Sequence, residues 1–129
     1  MKTIPLINDD KYIWEIDLLA DDNGDCELLD FVDKLNAIEK REWFKLVKKL
    51  EFIASRQSGP KTLGDKFVHE LGSKYKIFRF SQGSLRVSWF YGDGNKLILC
   101  AHAYTKKTKK TSRKDIEKAE RYYEAYYNK

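Results

Sequence analysis

The sequence predicts an α+β fold, with an N-terminal strand and two helices packed on a small antiparallel meander and a C-terminal helix closing the chain. Three observations carry this. Apolar residues recur at helical spacing twice before residue 55. From about residue 66 the pattern changes to short β-rich runs separated by Gly-containing turns. The last seventeen residues return to helical spacing.

The first strand is read in Tyr12-Ile13-Trp14-Glu15-Ile16-Asp17-Leu18, where β-branched and aromatic residues alternate with acids. Asp21-Asp22-Asn23-Gly24-Asp25 ends it with turn chemistry. The acids lack the spacing and terminal Glu of a calcium loop, so Asp25 is assigned as the cap of the next helix. Leu28, Phe31, Val32 and Leu35 form that short helix's stripe. Trp43, Leu46, Val47, Leu50, Ile53 and Ala54 form the stripe of a longer one, which Ser58-Gly59-Pro60 terminates.

Residues 66–71 are a short strand or a connecting stretch. Residues 74–80, 85–91 and 96–104 are three successive strands, joined by links too short for parallel crossovers. Ser112 starts the last helix, with Asp115 three residues on in a capping-box-like position. Ile116, Ala119, Tyr123 and Tyr126 are its buried stripe, widened by Tyr122 and Tyr127.

Length and composition narrow the function classes. At 129 residues with 42% hydrophobic and 14% aromatic content, the chain is expected to form a single domain (1–129) with an ordinary core. It has no apolar run of roughly 18 residues and no signal-peptide pattern, so a soluble, cytoplasmic protein is expected. Cys26 and Cys100 form no C-x-x-C or metal-spaced set and are read as reduced thiols. No P-loop, G-x-S-x-G, H-E-x-x-H or GxGxxG occurs. Glu15 and Asp17 share a strand face, but nothing marks them as a glycosidase pair.

The net charge of +5 conceals an asymmetry. Residues 1–73 carry 11 Lys/Arg against 15 Asp/Glu, and residues 74–129 carry 14 against 5. The basic half is a candidate for polyanions, the alternative being a solvated basic surface.

Arg79 and Arg86 are the most informative pair. A two-residue Gln82-Gly83 turn sets them directly opposite one another, an arrangement that costs stability. Two guanidiniums on one face make a phosphate cradle. The bland alternative is two exposed arginines, each paired with a carboxylate from the acidic half. Lys106, Lys107, Lys109, Lys110, Arg113 and Lys114 crowd into nine residues before a helix N-terminus, which also favours anions. His102 shares a strand face with Tyr104. A two-residue Asp-Gly turn points His102 away from the Arg face, whereas a three-residue loop with a bulge brings both onto it. His69 has no evident partner.

The order of elements and Lys106-Lys107-Thr108-Lys109-Lys110-Thr111-Ser112, followed by Ile116-x-x-Ala119, resemble the RelE/ParE superfamily of bacterial toxins, particularly its HigB-like, phage-related branch. That branch ends a strand before K-K/R-T-Q-K-T-P and a last helix. Ile77-Phe78-Arg79 resembles its E-L-R strand ending, and Arg86-Val87-Ser88-Trp89 its R-x-x-Y/W element. The architecture matches over about residues 12–127 and the motifs over 75–119. Lys109 replaces the usual Gln, Ser112 the usual Pro and Phe78 the common Leu.

The resemblance implies the toxin of a type II toxin–antitoxin system, a ribosome-dependent mRNA endoribonuclease (mRNA interferase) that inhibits translation without metal or cofactor. Arg79, Arg86, Lys106, Lys107 and His102 are then the catalytic candidates. Lys74, Lys76, Lys109, Lys110, Arg113 and Lys114 are the RNA-binding ones. The expected partners are mRNA, the ribosome and a cognate helix-turn-helix antitoxin. The alternative is a ParE-like DNA gyrase inhibitor, or a non-catalytic binding protein of the same fold.

Overall fold

A computed structural model describes residues 1–128. Its strands are β1 (Lys2–Ile7), β2 (Glu15–Ala20), β3 (Val68–Glu70), β4 (Phe78–Gln82), β5 (Leu85–Tyr91) and β6 (Leu97–Thr105). They form one sheet in the order β1-β2-β6-β5-β4-β3. The helices are α1 (Glu27–Asp33), α2 (Ala37–Ala54) and α3 (Arg113–Tyr127). The α+β class and the β4-β5-β6 meander agree with the sequence, and residues 68–70 are indeed a strand.

Two features correct the expected sheet. β1 is an additional strand and contains Pro5, a residue that sheets confine to their edges, where β1 lies. β2 pairs with β6 in parallel, so the sheet is mixed. The chain between them is long enough for a parallel crossover. Ile16 to Ala20 are all buried, as expected of a strand covered on both faces.

The helices divide between the two faces. Leu46, Leu50, Ile53 and Ala54 of α2, with Leu28 of α1, pack on Ile16, Leu18, Phe80, Val87, Trp89, Ile98 and Cys100. Ala119 and Tyr126 of α3 pack on the opposite-facing Leu19, Ile77, Phe90, Leu99 and Ala101. Among the described residues no helix is long and apolar enough to cross a membrane.

Local chemistry explains the boundaries. Asp25 does not cap α1: Cys26 holds the N-cap position and makes no side-chain bond there. Asp21 Oδ1 instead accepts from the backbone of Asn23 and Asp25, both at 2.9 Å, and closes the turn. Asn36 and Glu39 form a full capping box on α2. After α2, Gly59 has φ +57°, and a Cβ there would fall 2.3 Å from the Trp14 ring, so no other residue fits without rearrangement.

One irregularity positions the site. Ser88 lies opposite His102, but Trp89 lies opposite Cys100, leaving Ala101 as the extra residue of a bulge. Cys100 and Ala103 therefore both face the α2 side. His102 and Tyr104 turn to the α3 side.

Asp17 of β2 is buried, and its Oδ1 has no hydrogen-bond partner among the described residues. Burial, and then neighbouring Glu15, raise its pKa to about 7. The folded state thus binds this proton more tightly than the unfolded chain, whose Asp titrates near about 3.9. The associated stability is present below about pH 4 and is lost as pH rises to 7. Asp17→Asn should therefore be more stable than the parent above pH 7, by on the order of a few kcal/mol, with the difference vanishing near pH 4. Thermal unfolding across that range checks it; a difference that does not change with pH contradicts it.

Candidate functional site

The β4–β5 hairpin turns through Gly83-Ser84, because Gln82 lies opposite Leu85. Gly83 takes φ +56°, and a Cβ there would approach the Glu42 carboxylate to 2.8 Å. The predicted Gln82-Gly83 turn is thus displaced, and Arg79 does not face Arg86 directly. Arg79 lies opposite Ser88, and Arg86 opposite Ser81. The register has moved by two residues, which preserves side-chain parity. The arginines remain on one face as diagonal neighbours, with less repulsion than the direct pairing would impose.

Each guanidinium is held without a carboxylate. Arg86 Nη1 donates to the carbonyls of Gly83 and Leu85, both at 2.8 Å, folding the side chain onto its own hairpin. Gln82 Nε2 donates to Glu42 Oε2 at 2.7 Å and ties that hairpin to α2. Arg79 Nη1 donates to Thr111 Oγ1 at 2.9 Å, and its enclosed Nε has no partner among the described residues. Burial and then the Arg79 charge lower the Arg86 pKa. Neither arginine ion-pairs with a carboxylate among the described residues, so the bland reading of two neutralised arginines does not hold. An uncompensated half-buried positive pair attracts an anion.

Tyr104 of β6 shares their face, and Thr111 links it to Arg79. It lies opposite Arg86, and its hydroxyl shares a 2.8 Å hydrogen bond with Thr111 Oγ1. Burial raises its pKa, while the Thr111 bond and the two arginines pull it down. The His102 ring stacks on Tyr104, with centroids 5.3 Å apart and planes at 21°. His102 Nε2 meets Asp115 Oδ1 at 2.8 Å. Ser112 Oγ accepts from the Asp115 backbone N–H and donates to Asp115 Oδ2 at 2.6 Å, starting α3 as the sequence suggests. Burial acts to raise the Asp115 pKa, but the bonds from Ser112 and His102 outweigh it and hold it low.

These groups border a cleft of about 610 Å³ at the N-terminus of α3. Arg79, Arg86, Tyr104, Lys106, Lys107 and Lys110 line it, together with Lys114 and the first turn of α3. The Lys106 backbone N–H donates to Ser84 O at 2.7 Å, so the lysine segment leaves the sheet beside the Arg86 hairpin. A smaller cleft of about 380 Å³ adjoins through Arg79, Lys110 and Thr111 and includes Lys109 and His69.

The structure therefore gathers Arg79, Arg86, Lys106, Lys107, Lys110 and Lys114, with Lys109 next door. It does not bring the other candidates to the cleft. His102 sits behind Tyr104 and holds it rather than facing the opening. Arg113 turns to Glu117 at 3.3 Å. Lys74 pairs with Glu124 at 3.4 Å and Lys76 with Glu70 at 3.3 Å, on the segment between β3 and β4. Tyr104, Thr111 and Asp115 also border the cleft, although none of them is among the catalytic or RNA-binding residues expected from the sequence. The signal was the shared strand face of His102 and Tyr104, but only the bulge at Ala101 orients it.

The family model for phage derived protein Gp49-like (DUF891) matches residues 30–124, from α1 almost to the end of α3. The chain belongs to this family. A search of curated proteins finds no match. The Gp49-like family is RelE-like and of toxin type, and the matched span contains every residue of the cleft. In this Gp49-like protein the R-x-x-W element divides by strand parity: Arg86 faces the cleft and Trp89 the opposite core.

Proposed function

We propose that this Gp49-like protein is a HigB-like toxin of a type II toxin–antitoxin pair that cleaves mRNA on the ribosome without a metal. One observation carries the reading: Arg79 and Arg86 share a face, lack carboxylate partners among the described residues and line one cleft with Tyr104 and the lysine segment. Such a set suits a phosphodiester whose charge grows in the transition state.

In the proposed step the RNA 2′-hydroxyl gives its proton to solvent water as its oxygen attacks the adjacent phosphorus. The P–O5′ bond breaks, leaving a 2′,3′-cyclic phosphate and a 5′-hydroxyl. The forked guanidiniums of Arg79 and Arg86 meet the non-bridging oxygens. Lys106 or Lys107, both lining the cleft, supplies the proton to the departing 5′-oxygen. His102 and Asp115 set the Tyr104 ring at the wall of the site. Lys109, Lys110 and Lys114 track the backbone of the strand. The cognate helix-turn-helix antitoxin then meets the same basic surface with an acidic segment.

Because the cations already provide charge neutralisation, protein treated with EDTA and freed of chelator should cleave at its original rate. A loss of activity that returns only on adding a metal ion to the protein contradicts this. Mapping mRNA ends after brief induced expression tests the function itself. New mRNA ends accompanying arrested translation are expected. Growth arrest with chromosome breaks and no new mRNA ends would assign the protein to gyrase inhibition instead.

A further inference from the structure

The outward face of α2 lies across the sheet from the cleft and has no role in the proposed cleavage. At about 100° per residue, Ile38, Arg41, Phe44, Lys45, Lys48 and Phe52 fall within one third of the helix circumference, opposite the buried Leu46, Leu50 and Ile53. Ile38 is 70% exposed, Phe44 62% and Phe52 41%, a concentration of large apolar side chains that surfaces seldom leave open. No carboxylate falls within that arc. Glu39 is bound in the capping box, Glu42 reaches Gln82 and Lys45, and Glu51 reaches Tyr12 and Lys48. Cations sit over the rings: Lys48 Nζ is 5.2 Å from the Phe44 centroid and the Arg56 guanidinium 4.7 Å from that of Phe52.

We propose that this face docks an acidic amphipathic helix of a partner protein. Its apolar side chains would cover Ile38, Phe44 and Phe52, and its carboxylates would meet Arg41 and add to the Glu42 and Glu51 contacts of the exposed Lys45 and Lys48. The charge of the face selects among occupants. A second copy of this chain would bring cations against cations, which disfavours self-association. An RNA backbone would satisfy the cations but leave an aliphatic side chain as open as Ile38 uncovered. A membrane would have to take up rings that carry Lys48 and Arg56 directly above them. An acidic helix satisfies both the apolar and the charged groups, the recognition mode of helix in groove with charged flanks. The inference rests on α2 alone and stands whether or not the cleft cleaves RNA.

The test uses the full chain and a labelled synthetic helical peptide, with Leu on one face at i, i+3, i+4 and i+7 and Glu elsewhere. Saturable binding is expected, and a scrambled peptide of the same composition should bind far less. The combined variant Ile38→Ser, Phe44→Ser, Phe52→Ser should weaken binding by about tenfold or more, as loss of central apolar anchors does. Arg41→Glu, Lys45→Glu, Lys48→Glu should weaken it comparably and remove its salt dependence. All these positions are exposed, so circular dichroism melts should match the parent. Four outcomes overturn the proposal. The peptide fails to bind; it binds parent and variants alike; single-stranded RNA or anionic vesicles bind this face more tightly than the peptide; or sedimentation shows a dimer that the variants dissolve.

Discussion

Arg79→Ala or Arg86→Ala should lower RNA cleavage by about 10²–10³-fold, the usual consequence of deleting one fixed donor to a developing anion. Stability should fall by no more than about 1 kcal/mol in either variant, since loss of the guanidinium's hydrogen bonds to neutral oxygens is offset by relief of the half-buried like-charge pair. Arg79→Lys and Arg86→Lys should recover little activity. A lysine keeps the charge but offers no planar fork to two oxygens, and it cannot reproduce the paired contacts of Arg86 to Gly83 and Leu85. Cleavage rates of the purified variants, with melting curves alongside, check the result. Full activity in both alanine variants would remove the arginines from the chemistry.

Trp89→Ala should do the reverse and destroy the fold. Trp89 is fully buried, stacks on Phe80 at 4.8 Å and Phe78 at 4.6 Å, and meets Tyr91 edge-on at 5.2 Å. Truncating a core tryptophan costs about 3–5 kcal/mol, against a typical total stability of about 5–15 kcal/mol. Chemical unfolding should show a midpoint far below the parent's, or an unfolded protein at 37 °C. Arg86→Ala, three residues away, should leave the midpoint nearly in place. A near-parental midpoint for Trp89→Ala would contradict the described packing of this core. The pair of variants thus separates the two halves of one sequence motif, which strand parity sends to opposite faces of the sheet.

What was legible in the chain follows the range of the interaction that decides it. The stripes of α1, α2 and α3 are local periodicities and could be read directly, as could the Ser112–Asp115 start of α3. The common face of Arg79 and Arg86 was also legible, because a register shift of two conserves parity. The register itself was not. Gln82-Gly83 and Gly83-Ser84 are both acceptable two-residue turns, and the choice is made by Glu42 on a distant helix, which holds Gln82. The Ala101 bulge had no local mark, so the orientation of His102 and Tyr104 stayed open. Non-local contacts also decide the parallel β2–β6 pairing and the ion pairs that draw Lys74 and Lys76 from the cleft.

An arginine-lined cleft in which the RNA 2′-hydroxyl displaces the 5′-oxygen of the next nucleoside leaves its signature in the product ends. Purified protein, ribosomes and a defined mRNA should yield upstream fragments ending in 2′,3′-cyclic or 3′-phosphate and downstream fragments beginning with a 5′-hydroxyl, all formed about 10²–10³-fold more slowly with Arg79→Ala. Fragments carrying 5′-phosphate and 3′-hydroxyl ends, or an uncut message, would contradict this mechanism.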